Sequence, residues 1–225
     1  YAKIKTDSYA AFVNADYKFT DRLTLTVGLR YTKEKKKLDF EQQGYTFGPL
    51  NYPTIPQSID RFSDNDLSPT ASLRYEFTPD INAYVTVSRG FKAGGWNPDI
   101  TKRNTAREIR FDAEKVTNYE AGLKTQFFDR RLTVNLTGYH MEYDNLQISQ
   151  FLPATSEFII TNAGKAVIDG AELEVIARPS TWFVVRAGGA YNDAHYTEFL
   201  SGTGGDFAGQ QFTNAPKWSG YISGD

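Results

Sequence analysis

The sequence predicts an all-β fold, an antiparallel strand barrel of the membrane-spanning kind, and three observations predict it. Apolar residues recur at every second position through a series of segments. Very short turns alternate with long connections between those segments, and aromatic residues gather at the segment ends. A lipid-facing strand needs apolar side chains only on one face, so it looks polar to a hydropathy average.

Composition removes the competing classes. Among 225 residues, 25 Lys and Arg stand against 27 Asp and Glu, a net charge of −2 that carries no nucleic-acid footprint. With no cysteine, disulfide scaffolds, thiolate zinc sites, iron–sulfur clusters and cysteine nucleophiles are excluded, and two histidines leave little for metal catalysis. The longest apolar run, Tyr9 to Val13, is five residues. A membrane-crossing helix needs roughly 20, so a helical membrane protein is excluded while a strand barrel is not.

The elements follow in order. Tyr9, Ala11, Val13, Ala15, Tyr17 and Phe19 alternate with a mostly polar set, a period of two that marks a strand. After Thr20-Asp21-Arg22 the pattern returns as Leu23, Leu25, Val27, Leu29 and Tyr31. A second hairpin runs through Leu67, Ala71, Leu73, Tyr75 and Phe77, turns at Thr78-Pro79-Asp80 where no backbone donor is needed, and returns through Ile81, Ala83, Val85 and Val87. A third has Tyr119, Ala121, Leu123 and Phe127, a turn at Asp129-Arg130, and Leu132, Val134 and Leu136. Near Gly138 its apolar phase slips to Tyr139, Met141 and Tyr143, which predicts either a bulge or a strand leaving the apolar zone. A fourth has Val167, Ala171, Leu173 and Val175, a turn at Arg178-Pro179-Ser180, and Phe183, Val185, Ala187 and Tyr191. Trp218 to Asp225 reads as the start of a ninth strand.

The connections sort by end. Turn centres near residues 21, 79, 129 and 179 are short, whereas long loops are expected from Leu38 to Asp66, Gly90 to Lys115, Asp144 to Glu157 and Asp193 to Lys217. A soluble sandwich has no reason to sort them so; an outer-membrane barrel does. Aromatic pairs flank every short turn: Tyr17 and Phe19, Tyr75 and Phe77, Phe127 and Phe128, Trp182 and Phe183. Tyr9, Tyr31, Tyr119, Tyr143 and Tyr191 are expected to mark the opposite girdle. Ten to twelve tilted strand residues rise about 23 to 28 Å, the height of the apolar band of such barrels.

Eight strands can close a small barrel of about 17 Å diameter, but its interior would be filled by its own side chains. The last apparent strand stops at Asp225, and an open edge in hydrocarbon leaves backbone groups unpaired. The sequence is therefore expected to be an interior piece of a larger barrel.

Several segments then resemble one family. RYEFTPDINAYVTVSRGFKAGGWN (Arg74 to Asn97), NYEAGLKTQFFDRRLTVNLTGYHMEYDNLQ (Asn118 to Gln147), NAGKAVIDGAELE (Asn162 to Glu174) and NAPKW (Asn214 to Trp218) are similar, in order and spacing, to TonB-dependent outer-membrane receptors. The resemblance covers essentially the whole chain. It implies about eight to nine strands of a 22-stranded barrel in the outer membrane of a Gram-negative bacterium, filled by a plug domain. It also implies coupling to the TonB complex and import of a scarce ligand, most commonly an iron–siderophore chelate, with cobalamin and oligosaccharides as others. The plug, the TonB-box segment and an aromatic-ended C-terminal strand lie outside these residues. No catalysis and no cofactor are expected.

Candidate residues follow. Arg30, Arg74, Glu76, Glu120, Lys124, Glu172, Glu174 and Arg186 fall in the lumen phase, where they face water or pair with one another, or contact the plug; Arg74 and Glu120 are the plug-facing candidates. The Gly90 to Lys115 loop carries Phe91, Lys92, Trp96, Lys102, Arg103, Arg107 and Arg110. Cations beside aromatics suit an anionic ferric chelate, against the plainer reading of solvated charge or contacts within the loop. Lys92, Trp96, Arg103, Arg107 and Arg110 are the ligand candidates. Lys33, Lys35 and Lys37 continue the outward phase just above Tyr31, where they meet lipopolysaccharide phosphates or simply extend a solvated strand. Gly94-Gly95 and Gly204-Gly205 lack a strand-to-helix context and are read as loop tips. His140 and His195 are too separated to make a metal pair. A plug-free porin-type channel or small closed barrel is the alternative. A membrane-embedded hydrolase, with His195 and Asp193 as its only rim candidates, is more remote.

Overall fold

Alternating sequence becomes alternating exposure along the strands. The computed structural model describes residues 1–48, 50–52, 54–97, 109–153, 157–162, 164–199 and 205–225. These form, in order, β1 (Ala2–Lys18), β2 (Leu23–Gln42), β3 (Tyr45–Phe47), β4 (Leu50–Tyr52), β5 (Ile55–Thr78), β6 (Ile81–Lys92), β7 (Gly95–Trp96) and β8 (Arg110–Phe111). There follow β9 (Glu114–Phe127), β10 (Leu132–Asp144), β11 (Gln147–Leu152), β12 (Glu157–Asn162), β13 (Gly164–Ser180), β14 (Phe183–Phe199) and β15 (Trp218–Gly224). Among the described residues, nine strands make one sheet in the order β1-β2-β5-β6-β9-β10-β13-β14-β15, and the other six pair as small hairpins β3-β4, β7-β8 and β11-β12. All pairings are antiparallel.

One face of the large sheet is apolar and open. Val13, Leu29, Leu67, Val85, Leu136 and Leu173 all lie on it, each more than 40% exposed. The opposite face carries Asn14, Thr26, Ser72, Thr86, Glu120 and Glu172, of which Thr26, Ser72, Thr86 and Glu120 form one row of direct partners across four strands. Apolar outside and polar inside is stable only where the outer solvent is itself apolar.

The short turns have local causes. Thr20 Oγ1 accepts hydrogen bonds from the backbone N–H groups of Arg22 and Leu23, at 3.2 and 3.0 Å. Phe128, Asp129 and Arg130 all adopt positive φ, 54 to 64°, and Arg131 N closes the turn on Phe128 O at 3.1 Å. The aromatic pairs at this end pack edge to face, Tyr17 with Phe19 at 4.9 Å and Tyr75 with Phe77 at 5.0 Å.

The structure corrects four expectations. The fourth short turn lies at Thr181-Trp182, because β13 runs on to Ser180 through a register shift after Ala177; Pro179, which has no N–H, sits in that irregularity. The β10 register is unbroken on both sides from Leu132 to Tyr143, so Gly138 marks no bulge. Tyr139, Met141 and Tyr143 therefore lie on the polar face, and Tyr143 does not join the outer girdle. Finally, two of the expected long loops hold much strand: between Leu38 and Asp66, β2 and β5 stay paired up to Gln42 and Ile55, and between Asp144 and Glu157 lie β11 and the start of β12; β14 also runs on to Phe199.

The main buried cluster sits at this long end rather than between sheet faces. Leu38, Phe40, Ile55, Trp96, Ile109 and Ile159 pack together with Phe62 against them.

Candidate functional site

Three surfaces carry the candidate residues. The first is the polar face of the sheet. Arg74 is held by Glu76 on its own strand at 3.2 Å, so it does not pair directly with Glu120. Tyr84 stands opposite Arg74 on one side and Gly122 on the other. Its hydroxyl donates to the Glu120 carboxylate at 2.6 Å, and Lys124 Nζ lies 5.4 Å from the centre of its ring. Asn135 Nδ2 donates to Glu174 at 2.9 Å. Tyr84, Lys124, Asn135 and Glu174, with Thr137, Glu172 and Tyr221, line a depression of about 660 Å³; Arg74 and Glu120 are not among its lining residues. Gly188, Gly189 and Gly220 also line it and, having no side chains, leave it room.

The second surface is the cluster at the long end, where three connections are fastened together. Trp96 is buried, its indole Nε1 donates to Asp60 at 2.8 Å, and its ring meets Phe62 at 4.7 Å. The Arg110 guanidinium lies 4.0 Å over the Phe62 ring and 3.8 Å from Asp112. Gly94 is gripped from both sides: its N–H donates to Asp64 Oδ2 at 2.8 Å, and its carbonyl accepts from Lys36 Nζ at 2.7 Å. A Cβ at Gly94 would run into the Phe111 carbonyl, so that tip is a packed position rather than a free one. Asn97 ties this unit to β12, accepting from Ile160 N at 2.7 Å and donating to Ile160 O at 2.8 Å. Gln147 Nε2 donates to the carbonyls of Ala93 and Asp112 at 3.1 and 3.0 Å.

Beside this unit is a cleft of about 530 Å³ lined by Glu34, Lys36, Phe91, Lys92, Trp96 and Gln147. Of the ligand candidates, Lys92 is exposed at its edge, whereas Trp96 and Arg110 are engaged within the cluster. Lys102, Arg103 and Arg107 lie outside the described residues, as does Gly204. Sequence reasoning missed Asp60, Asp64 and Phe62. They were read as loop, and only the β2–β5 ladder brings them beside Trp96.

The third surface is on the outer face above Tyr31, where Lys33, Lys35 and Lys37 share the phase of Leu29 and Tyr31. Lys36 points to the other face, toward Glu34 and Gly94.

The two histidines have other neighbours. His140 meets Asp169 through Nδ1 and Glu142 through Nε2, so the two carboxylates approach from opposite sides and do not converge on one point. Asp193 is paired with Lys217 at 3.1 Å, and His195 bridges to Gln211. Near it an aromatic group, Tyr196, Phe199, Phe207 and Phe212, closes the β14 exit at ring distances of 4.5 to 5.2 Å; burial there pushes the Tyr196 phenol pKa up.

The comparisons agree with this architecture. A family model described as "TonB dependent receptor-like, beta-barrel" matches residues 1–225. The metal-pseudopaline receptor CntO of Pseudomonas aeruginosa is 22% identical over 220 residues, 98% of this chain and 28% of that protein. The ferric-pyoverdine 358 receptor of Pseudomonas putida is 29% identical over 165 residues, 72% of this chain and 18% of that protein. The solved ferric yersiniabactin uptake receptor FyuA of Yersinia pestis superposes with a TM-score of 0.79 at 22% identity, over 99% of this chain and 32% of that one. The chain thus spans less than a third of the length of these relatives.

Proposed function

The chain belongs to the TonB-dependent receptor-like β-barrel family, whose members are Gram-negative outer-membrane proteins, and on that premise we propose that it forms part of the barrel wall of a receptor importing an iron–siderophore chelate. The observation that carries this reading is the two-faced sheet: an open apolar surface outside, and inside a polar wall with Arg74, Tyr84, Glu120 and Glu172. A wall of this kind suits a barrel filled by a polar domain, in which hydrogen bonds and ion pairs are made and released as the filler moves.

In this reading the plug and the remaining strands of a 22-stranded barrel come from elsewhere in the protein, and the plug connects the receptor to the TonB complex. Arg74 and Glu120 face the plug. At the outer end, Lys92, Arg103 and Arg107 provide positive charge for an anionic chelate. Trp96 and Arg110 set the shape of that end from within the cluster and reach the chelate only at its edge. Lys33, Lys35 and Lys37 stand among lipopolysaccharide headgroups. Relatives named for pseudopaline, pyoverdine and yersiniabactin receptors support a metal chelate as the ligand class.

The test is uptake of radiolabelled ferric siderophores by iron-starved cells with and without the full-length gene, together with conductance of the purified receptor in planar bilayers. Loss of uptake in the deletion with a closed bilayer record is expected. A steadily open channel with no saturable uptake would indicate a plug-free porin-type pore instead.

A further inference from the structure

The inner face of the sheet holds two surfaces of opposite character. Over residues 24–34 of β2, 68–76 of β5 and 82–90 of β6 no inward position carries an aliphatic side chain, and the aromatic Tyr84 lies along Gly122 instead of projecting. Within this lane Thr26, Ser72 and Thr86 are direct partners, and so are Gly28, Thr70 and Ser88. The Ser72 and Thr86 hydroxyls meet at 2.8 Å, and Arg74 is neutralised by Glu76 on its own strand at 3.2 Å. Followed round the sheet, the Gly28 row passes Asn118 and becomes Met141, Ile168 and Ala194. The next inward-facing row toward the outer end runs through Val116, Tyr143, Ala166 and Tyr196. Met141, Tyr143 and Ile168 are half-buried and face the lumen, an apolar patch on a largely polar wall.

Strand tilt does not explain the contrast. Tyr191 shares a row with Leu25, six strand steps away and six residues below Tyr31. With both tyrosines in the outer girdle, rows climb roughly one residue per strand, as tilted barrel strands require. At the height of Met141 the lane therefore presents Thr32, Ser68 and Gly90, which are polar or bare. The two surfaces release a partner at different cost. A hydroxyl that loses a polar partner regains water in a nearly neutral exchange, whereas baring Met141, Tyr143 and Ile168 returns apolar area to water.

We propose that the plug grips the patch of Met141, Tyr143 and Ile168 and parts first from the hydroxyl lane of β2, β5 and β6, so that water and chelate cross the barrel along that lane. Arg30 lies in the lane with its Nε on Thr32 at 3.2 Å. Among the described residues it forms no ion pair, so its charge is available to an anionic chelate. The inference rests on the reading of this chain as the wall of a plug-filled receptor. It is compatible with the length of the metal-pseudopaline receptor, of which this chain matches 28%.

The test uses the full-length receptor in lipid vesicles, free of cysteine except for one introduced reporter; these 225 residues contribute none of their own. Ser72→Cys reports on the lane and Met141→Cys on the patch. Each is labelled with a water-soluble maleimide at rising urea, and its rate is scaled to its own value in high urea, where the plug has unfolded. At low urea Ser72→Cys is expected to label about tenfold faster than Met141→Cys. Adding Ile168→Ser to both is expected to bring Met141→Cys up to the rate of the lane, because the apolar grip is weakened. Thr70→Cys and Tyr143→Cys serve as reporters if either first choice fails to fold. In planar bilayers Ser72→Trp is expected to lower the urea-opened potassium current about twofold by narrowing the lane. Equal or reversed labelling order overturns the proposal, as does an unchanged current in Ser72→Trp. Rapid labelling of both reporters without urea would mean that no plug fills the barrel, which overturns the parent reading and the inference with it.

Discussion

The ring of Tyr84 lies directly against Gly122 on the neighbouring strand, so close that a Cβ at Gly122 would stand 2.5 Å from the Tyr84 Cζ. The arrangement recurs at two further pairs of direct cross-strand partners on the polar face, Tyr139 over Gly170 and Tyr221 over Gly188. A flat ring covers backbone that glycine leaves bare and lies along the wall instead of projecting into the lumen. At Tyr84 this also aims the phenol at Glu120, 2.6 Å away.

Gly122→Val is therefore expected to push the Tyr84 ring off the wall and lose the Glu120 hydrogen bond, destabilising the folded receptor by about 1 to 3 kcal/mol. Urea unfolding in lipid vesicles measures it. Gly122→Val in a Tyr84→Ala background should cost less than the sum of the two single changes, and strict additivity would show that the ring and the glycine are not coupled.

Tyr84→Phe keeps the ring over Gly122 and removes only the hydroxyl. The expected loss is about 1 kcal/mol, for one partly exposed hydrogen bond to a carboxylate. The same unfolding assay distinguishes this from the larger effect of the glycine change, and equal losses would mean the ring packing contributes nothing.

Reversing Arg74→Glu and Glu120→Arg singly should impair ligand uptake if these side chains contact the plug, even where surface expression is unchanged. Uptake rates equal to wild type in both single variants and in the double variant would dismiss that contact.

Trp96→Ala should loosen the outer-end cluster as a unit, since Trp96 contacts Phe62 and Asp60 of β5 and packs with residues of β2 and β12. Hydrogen exchange is expected to rise in residues 90–97, 109–115 and 157–162 together while the membrane-level strands stay protected. A rise confined to residues next to Trp96 would count against a single cooperative unit.

Arg103→Ala with Arg107→Ala, and separately Lys92→Ala, should weaken binding of an anionic ferric chelate at low ionic strength, the difference fading as salt screens the charge. Affinity that is unchanged at both salt levels would remove these cations from the ligand site.

What the sequence by itself determined is the part of the fold where one face meets hydrocarbon. There the contrast between Leu25, Val27 and Leu29 and their neighbours Thr24, Thr26 and Gly28 fixes strand, face and turn at once, and nine strands in a meander follow, with the resemblance supplying the family. Above the girdle the face that is apolar lower down carries Lys33, Lys35 and Lys37, and the opposite face carries the buried Leu38 and Phe40, so the period-two signal changes face while backbone pairing continues; Leu38 to Gln42 and Ile55 to Asp66 read as loop yet are strand. The phase of Tyr139 to Tyr143 also escaped, because side-chain polarity does not reveal that Gly170 stands opposite Tyr139 and leaves room for its ring. Tertiary structure alone decided that Trp96 is buried on Asp60 rather than free, and that Lys5 and Arg61 flank Lys37. These pairings join residues 24 to 36 positions apart, and the ladder register that creates them is set by hydrogen bonds along whole strands, not by the residues that end up face to face.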